Sequence, residues 1–518
     1  MDFAAADRRS RPQPANNGPA GKLGIPRRSI RPGSYAILFG LFAALMVWSH
    51  LWLLPLPYYW DEAGQFIPSA LDLFRHGWWI PRSVPPIVHP PGVAAYLTAA
   101  WTIAGFHPAV TRIAMLLAAA GGLEAAFLLA IELLREAPGR PGFLAAALLF
   151  ASPVFFAQAV LAQLDMPAMA LTALALLLFV QERVGAAAAV SVALVLVKET
   201  GVVEPLLFAG WLAWERRWRE TAWFLMPAAV LAGWLVILRH TTGDWMGNAG
   251  FLRYNLLEPL HPVRLAVALA RRTYFLFFAN FHWAGTLAML YAWRHTGLFR
   301  QRSWRVAWLL VAAYGLMLTV LGGAVLNRYL LPVLPVLFAA MAGALSYLGR
   351  VPRLGVSVVL LGGVAACNWV NPPYPFPFEE NLAFADFVHL ESDAADYVAH
   401  WYPHAVVASA WPLTRALEQP DLGFVRRPVA VEKLNDFTPG RLRGLNWSGV
   451  QVLVVFSRSW DPPHNFMRVG AIRALWHRFY GYEPEADLQE TRAIVPLPVA
   501  AHFERGGQWV DVYVRAGR

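Results

Sequence analysis

Long apolar runs without ionisable residues constrain the fold of this chain more than any other feature. Residues 35–57 contain no Lys, Arg, Asp or Glu, and a helix needs about 20 apolar residues to cross the hydrocarbon core of a bilayer. Only 15% of the 518 residues are charged, against about 25% in a typical soluble domain. The chain is therefore predicted to be a mainly α-helical, multi-pass membrane protein. Ten further runs are candidate spans: 110–134, 142–162, 166–181, 184–197, 200–214, 221–239, 273–293, 305–322, 329–348 and 354–371.

Arginine indicates how these runs are oriented. The net charge is +10, yet the only lysines are Lys22, Lys198 and Lys433. Loops on the cytoplasmic side of a membrane are enriched in basic residues. The arginine-rich loops all face the cytoplasm if 93–106 is a helix at the outer surface, whereas they would all face outward if 93–106 crossed the membrane. The chain is then predicted to have eleven spans and a cytoplasmic N-terminus. The surplus of arginine is interpreted as a signal for membrane orientation, and no nucleic-acid partner is expected. The loops predicted to be cytoplasmic contain Arg135, Arg140, Arg183, Arg216, Arg217, Arg219, Arg294, Arg300, Arg302, Arg305, Arg350 and Arg353.

Composition divides the chain into three parts. Residues 1–32 are rich in Pro, Gly and basic residues, which predicts a disordered cytoplasmic tail. Residues 33–371 form the transmembrane core, and 372–518 have ordinary soluble composition. The last part is predicted to be a small extracytoplasmic, periplasmic α/β domain. Its expected elements are strands at 406–410 and 450–456, an amphipathic helix at 463–478 and a hairpin formed by 497–503 and 508–514.

With this orientation, five polar motifs fall at span ends on the outer face. Each motif alone has a structural explanation, such as interfacial loop charge, an N-cap for Asp165 or a lysine at a span end that pairs with Glu199. Their convergence on one face instead indicates a site for an anionic, phosphate-bearing, lipid-linked substrate. The motifs are Asp61-Glu62, His89-Pro90-Pro91-Gly92, Gln163-Leu164-Asp165-Met166-Pro167, Lys198-Glu199-Thr200-Gly201 and Asn327-Arg328-Tyr329.

The order of these motifs resembles that of the C-class membrane glycosyltransferases (GT-C). That superfamily includes the protein O-mannosyltransferases and the aminoarabinose transferases that modify lipid A. The resemblance covers roughly residues 35–350, and the acidic pair in the first loop is its most specific element. Two positions depart from the common pattern: Phe66 stands where many members have Tyr, and His89 where many have Lys.

The resemblance implies a hexosyl- or pentosyltransferase of the cytoplasmic (inner) membrane. Its donor would be a sugar on a polyprenyl phosphate, and its acceptor a glycolipid, a polysaccharide or a protein in the cell envelope. Transfer would invert the anomeric centre, with Asp61 as base. No metal-ligand motif requires a divalent metal, although carboxylates could hold one. The remaining roles implied are catalytic for Glu62 and Asp165, donor-phosphate binding for Lys198, Arg328 and His89, and supporting for Glu199 and Tyr329.

Two other classes of function remain open at this point. An O-antigen ligase or polymerase would also use a lipid-linked glycan, but its donor is an oligosaccharide on a diphosphate. A lipid or sugar transporter would place ionisable residues near the bilayer midplane, whereas here only Glu124 lies near the middle of a predicted span.

Overall fold

The computed structural model describes residues 32–462 and 465–515. The predicted cytoplasmic tail lies outside the described residues, apart from Pro32. The chain is mostly helical up to Ala366, and a five-stranded sheet with further helices follows. The helices of the first part are α1 Pro32–Ser49, α2 Ile67–His76, α3 Gly92–Ala104, α4 Pro108–Leu133, α5 Gly142–Ala151, α6 Pro153–Gln158, α7 Asp165–Val180, α8 Val184–Val197, α9 Val203–Trp214, α10 Trp218–Trp223, α11 Leu225–Thr242, α12 Ala249–Leu252, α13 Pro262–Phe277, α14 His282–His295, α15 Arg302–Val320, α16 Leu334–Leu345 and α17 Arg350–Ala366.

Four helical segments in the described part of the chain are long and apolar enough to cross a membrane. They are Pro108–Leu133, Trp218–Thr242, Arg302–Val320 and Asn327–Leu345. Helices α13 and α14 form a pair bent by 83°, which makes a fifth candidate if the pair is one span. The count of eleven is therefore not confirmed. One physical reason is that prolines break the runs, as Pro153 does where the predicted span 142–162 divides into α5 and α6.

Helix α16 lies at the centre of the helical part. All of its residues are buried, and it packs against α4, α5 and α14. Helix α7 packs between α4 and α8 in the same way. Small residues such as Ala and Gly allow this close approach of helix backbones. This tight packing fixes the N-terminal ends of α7 and α16 and the C-terminal end of α8 relative to one another.

The C-terminal part contains a mixed sheet in the order β2-β1-β3-β5-β4. β2, β1 and β3 are parallel, whereas β3, β5 and β4 are antiparallel. β4 and β5 form the predicted hairpin, with Gly506 and Gly507 both at positive φ, as a two-residue turn requires. The strands are β1 Val407–Ala410, β2 Val431–Leu434, β3 Val452–Phe456, β4 Val499–Arg505 and β5 Gln508–Val514, and the helices are α18 Ala383–Trp401, α19 Leu413–Glu418, α20 Pro439–Arg443, α21 Gly470–Tyr480 and α22 Leu488–Ile494.

Two elements of this part differ from the sequence-based expectation. The amphipathic helix α21 begins only at Gly470 and is preceded by a short 3₁₀ turn, Phe466–Arg468. The edge strand β2 was not predicted, because two of its four residues, Glu432 and Lys433, are charged and exposed. Charged side chains are common on edge strands, where they oppose pairing with other chains.

The C-terminal part packs directly on the first long loop of the helical part. The ring of Tyr59 contacts Phe384 and Phe387 at centroid distances of 5.9 and 5.7 Å. Arg75 donates two hydrogen bonds to the Asp421 carboxylate, each 2.8 Å long. These contacts order the loop that carries Asp61.

Gly92 sets the distance between α3 and the end of α8. A Cβ at this position would lie 2.4 Å from the backbone oxygen of Leu196. We predict that Gly92→Ala lowers the melting temperature of the purified protein, because overpacking against backbone costs about 1–3 kcal/mol.

The matched control is Gly210→Ala in α9, where no atom lies within 4 Å of the added Cβ. Alanine has a higher helix propensity than glycine, so this variant should melt at or above the wild-type temperature. Equal melting temperatures for the two variants would show that the α3–α8 contact can relax without cost.

Candidate active site

Glu62 is a buried structural ion-pair residue. Its side chain has no solvent exposure, and its Oε1 accepts hydrogen bonds from Arg112 Nη1 and from the Ala162 backbone N–H, both at 2.5 Å. Its Oε2 accepts a further bond from the Tyr59 N–H. The Glu62 carboxylate therefore holds the loop before Asp61 against the loop before Asp165.

A cavity of about 790 Å³ lies where the first loop, the N-terminal end of α7, the C-terminal end of α8 and the turn before α16 meet. Seven of the eight predicted site residues line this cavity, and Glu62 does not. The cavity also has apolar walls, formed by residues that include Phe251, Leu318 and Phe376. The predicted residues that line the cavity are Asp61, His89, Asp165, Lys198, Glu199, Arg328 and Tyr329.

Arg328 lies at the centre of an ion-pair network. Its Nη2 donates to Asp61 Oδ2 at 2.5 Å, and its Nε lies 3.3 Å from Glu379 Oε1 and 3.6 Å from Asp165 Oδ2. The guanidinium is almost fully buried. Burial of an unpaired charge is costly, so carboxylates from three separate segments are brought together around one cation.

Lys198 forms a second ion pair next to this network. Its Nζ donates a hydrogen bond to Asp165 Oδ1 and lies 4.5 Å from the centre of the Tyr329 ring. Helix α8 ends at Val197, and the extended backbone of Lys198 directs the chain into the turn Glu199–Val202. Asp165 therefore pairs with Lys198 and does not cap α7 with its side chain.

His89 pairs with Glu199, the residue after Lys198, in the lining of the cavity. Its Nδ1 lies 2.7 Å from Glu199 Oε2, and its ring contacts Phe66 and Phe251. Burial alone would raise the pKa of Glu199, but the adjacent His89 ring holds it below its usual value. The Glu199 carboxylate thus fixes the orientation of the imidazole.

Solvent exposure distinguishes Asp61 from the other carboxylates around Arg328. The side chain of Asp61 is 39% exposed, whereas those of Asp165 and Glu379 are 4% and 5% exposed. A molecule in the cavity can therefore reach Asp61 without displacing protein groups. Asp61 is also preceded by Trp60 at φ 36°, a strained conformation for a bulky residue of the kind that concentrates at functional sites.

The sequence prediction missed Glu379 and the cavity residues of the C-terminal part. Glu379 lies in the turn Phe378–Glu380, directly after a Pro-rich segment that suggested only a linker. Arg458 follows β3, and its guanidinium lies 5.7 Å from the Trp60 ring. The acidic pair Glu379-Glu380 just after the last apolar run was the one available signal. Among the described residues, no group of three or more His, Cys, Asp or Glu side chains is arranged to hold a metal ion.

Comparison with solved structures identifies the fold. ArnT from Cupriavidus metallidurans bound to undecaprenyl phosphate matches with a TM-score of 0.52 and 14% identity, covering 94% of this chain and 100% of ArnT. Its apo structure matches with a TM-score of 0.51 and 14% identity, covering 94% of this chain and 99% of ArnT. The chain has the GT-C fold.

A further match is weaker. The oligosaccharyltransferase AglB from Archaeoglobus fulgidus, in complex with an inhibitory peptide and a dolichol-phosphate, has a TM-score of 0.49 and 13% identity. This match covers 81% of this chain and 69% of AglB. No protein-family model and no curated protein matches the sequence.

The Glu62–Arg112 pair supplies a stability prediction for this GT-C core. Glu62→Gln leaves the buried Arg112 guanidinium without its counter-ion. Loss of one partner of a buried pair costs about 3–5 kcal/mol, so the variant should unfold at a clearly lower temperature, as measured by thermal unfolding in detergent.

The control is Asp421→Asn, which breaks the Arg75 pair at a site where both side chains are more than 40% exposed. An exposed pair contributes about 1 kcal/mol or less, so this variant should melt close to the wild type. If both variants lose the same stability, Glu62 does not hold the two loops together as described.

Proposed function

We propose that this protein transfers a sugar from a polyprenyl-phosphate carrier to an acceptor at the outer face of the cytoplasmic membrane. The observation that carries the proposal is the cavity in which Lys198 and Arg328 face the single exposed carboxylate, Asp61. Cleavage of a sugar–phosphate bond requires cations that stabilise the leaving phosphate and a base that accepts the proton of the nucleophile, and this cavity contains both. The GT-C fold, shared with an ArnT structure that holds undecaprenyl phosphate, supports the same reaction.

The donor phosphate binds Lys198 and Arg328 in this proposal. Both cations are paired with carboxylates in the structure, so an arriving phosphate takes the place of part of those contacts. Phosphate accepts charge-assisted hydrogen bonds from Lys and Arg as carboxylates do. Such an exchange keeps the cations compensated while the carboxylates are released for chemistry. His89, which also lines the cavity, is the third contact proposed for the donor phosphate.

Asp61 acts as the general base. The acceptor hydroxyl or amine attacks the anomeric carbon and gives its proton to the Asp61 carboxylate. The bond between the anomeric carbon and the phosphate oxygen breaks at the same time, and the polyprenyl phosphate leaves with the bonding electrons. Lys198 and Arg328 stabilise the charge that develops on the leaving phosphate. Attack opposite the leaving group inverts the anomeric centre.

The other predicted site residues take supporting roles. Asp165 positions Lys198, Glu199 positions His89, and Tyr329 provides the aromatic face under the Lys198 ammonium. The catalytic role suggested for Glu62 becomes a structural one, because all of its hydrogen bonds are to protein groups and it lies outside the cavity lining.

The proposed topology keeps the N-terminus in the cytoplasm and the site on the outer side. In this topology residues 33–371 form a transmembrane core of about eleven spans, several of them short or broken, and residues 372–518 form the extracytoplasmic domain. The acceptor is a glycolipid, a polysaccharide or a protein, and the sugar a hexose or a pentose. The transporter alternative is weaker, because the ionisable side chains of the cavity gather at helix ends and not at the middle of broken helices.

Replacement of Asp61 tests the assignment of the base. Asp61→Asn should reduce sugar transfer by at least about 100-fold, the usual contribution of a general base. It should not weaken binding of undecaprenyl phosphate, because it removes a negative charge beside Arg328. Transfer can be followed with a radiolabelled donor sugar and binding by equilibrium titration. Asp421→Asn, outside the cavity, is the control, and full transfer activity in Asp61→Asn would sink the assignment.

Replacement of Lys198 tests the phosphate site. Lys198→Gln should weaken the binding of undecaprenyl phosphate by about tenfold or more, since hydrogen bonds to charged groups contribute about 1.5–3 kcal/mol. Arg75→Gln removes a cation outside the cavity and should leave the affinity unchanged. An equal affinity in Lys198→Gln and the wild type would assign Lys198 to the structure alone.

A further inference from the structure

Hydrogen bonds from two separate segments of the helical part hold the turn Phe378–Glu380 against the site. The Glu379 backbone oxygen accepts a hydrogen bond from Gln158 Nε2 at 3.2 Å, and its Oε2 accepts one from Gln163 Nε2 at 3.3 Å. The neighbouring Glu380 carboxylate accepts two bonds from Asn327, the residue before Arg328. This segment, which joins the helical part to the sheet part, therefore inserts a buried carboxylate into the wall of the cavity.

Glu379 and Asp61 share one guanidinium. Arg328 contacts Asp61 through Nη2 at 2.5 Å and Glu379 through Nε at 3.3 Å. Asp165 has Lys198 as its own partner, whereas in the described part of the chain neither Glu379 nor Asp61 has another cation within salt-bridge distance. One positive charge cannot fully compensate two carboxylates in a site of low dielectric constant.

Competition for Arg328 makes the protonation of Glu379 sensitive to Asp61. Burial, opposed by Arg328 and assisted by the nearby Asp61 carboxylate, raises the pKa of Glu379 to about 7. Glu379 therefore changes its charge in the neutral range. The charged and titratable groups that face it are Arg328, Asp61, Glu380, Tyr59 and Tyr329. Asp165 acts on it only through their common partner Arg328.

We propose that Glu379 is a positioning residue that controls, through Arg328, how strongly the Asp61 carboxylate is held. The proposal rests on the proposed function, in which Asp61 accepts the acceptor proton. When Glu379 is ionised, it draws part of the Arg328 charge away from Asp61, which becomes a stronger base. When Glu379 is protonated, Arg328 interacts mainly with the Asp61 carboxylate and lowers the basicity of Asp61.

The sign of the pH dependence follows from this competition. Glu379 is protonated below neutral pH, so Asp61 is then most strongly held and transfer is slow. Ionisation of Glu379 as the pH rises frees Asp61, so kcat/KM should increase by about fivefold or more between pH 6 and pH 8. The side chain introduced by Glu379→Gln is neutral at every pH. The kcat/KM of this variant should therefore stay at its low value from pH 6 to pH 8.

The first experiment measures kcat/KM for sugar transfer from pH 6 to pH 8 in four full-length proteins. The wild type should show the increase, and Glu379→Gln should be flat, near the wild-type value at pH 6. Glu391→Gln is the matched control, because Glu391 is an equally buried glutamate of α18 that does not line the cavity. It should retain the wild-type profile, and Glu379→Asp should recover part of it. An increase that survives in Glu379→Gln would overturn the proposal.

The second experiment does not need enzyme activity. Dicyclohexylcarbodiimide labels protonated carboxyl groups in apolar surroundings, and mass spectrometry can locate the label on Glu379. Labelling of Glu379 should fall with a midpoint near pH 7 in the wild type and at a lower pH in Asp61→Asn, because coupling between two sites is reciprocal. An unchanged midpoint overturns the coupling. Absence of transfer by the wild type together with a shifted midpoint would refute the proposed function and retain the Asp61–Glu379 coupling.

Discussion

A single buried guanidinium holds the site together. Arg328 contacts carboxylates from the first loop, from the start of α7 and from the segment that leads into the sheet part. All three carboxylates contact Arg328, and an uncompensated buried charge is strongly destabilising. The need to satisfy Arg328 therefore couples the helical part, the first loop and the C-terminal part. The buried Glu62–Arg112 ion pair also joins separate segments, because it fixes the loops that present Asp61 and Asp165.

The same network determines the chemistry that the cavity can support. Its cations are already paired with carboxylates, so they are held in position before any substrate arrives, and an anionic ligand exchanges one set of charged contacts for another. Preorganised charges of this kind stabilise a developing negative charge without reorganisation during the reaction. Asp61 is the member of the network that remains open to the cavity. In the proposed reaction, phosphate binding and activation of the base are therefore linked through Arg328.

Several residues that line the cavity were predictable, because the arginine-rich loops predict one orientation for the chain. That orientation placed His89, Lys198 and Arg328 on one face, and all three line the cavity. The sequence could not show that Asp61 lines the cavity while Glu62 does not. These adjacent residues lie at the start of a π-helical turn and differ only in the direction of their side chains. Glu379 was missed for a related reason: its position depends on the docking of the sheet part, a long-range contact that no local pattern reports. The apolar run 142–162 contains two helices instead of one, because Pro153 divides it.

The proposed reaction in the cavity is the cleavage of a sugar from a polyprenyl monophosphate. The most direct measurement incubates the purified protein in lipid nanodiscs with a panel of polyprenyl-phosphate sugars and a membrane extract as acceptor, and quantifies the polyprenyl phosphate released. We expect polyprenyl phosphate to be released from at least one monophosphate donor, together with transfer of the sugar of that donor. Release only from diphosphate-linked oligosaccharides, or from no donor in the panel, would contradict it.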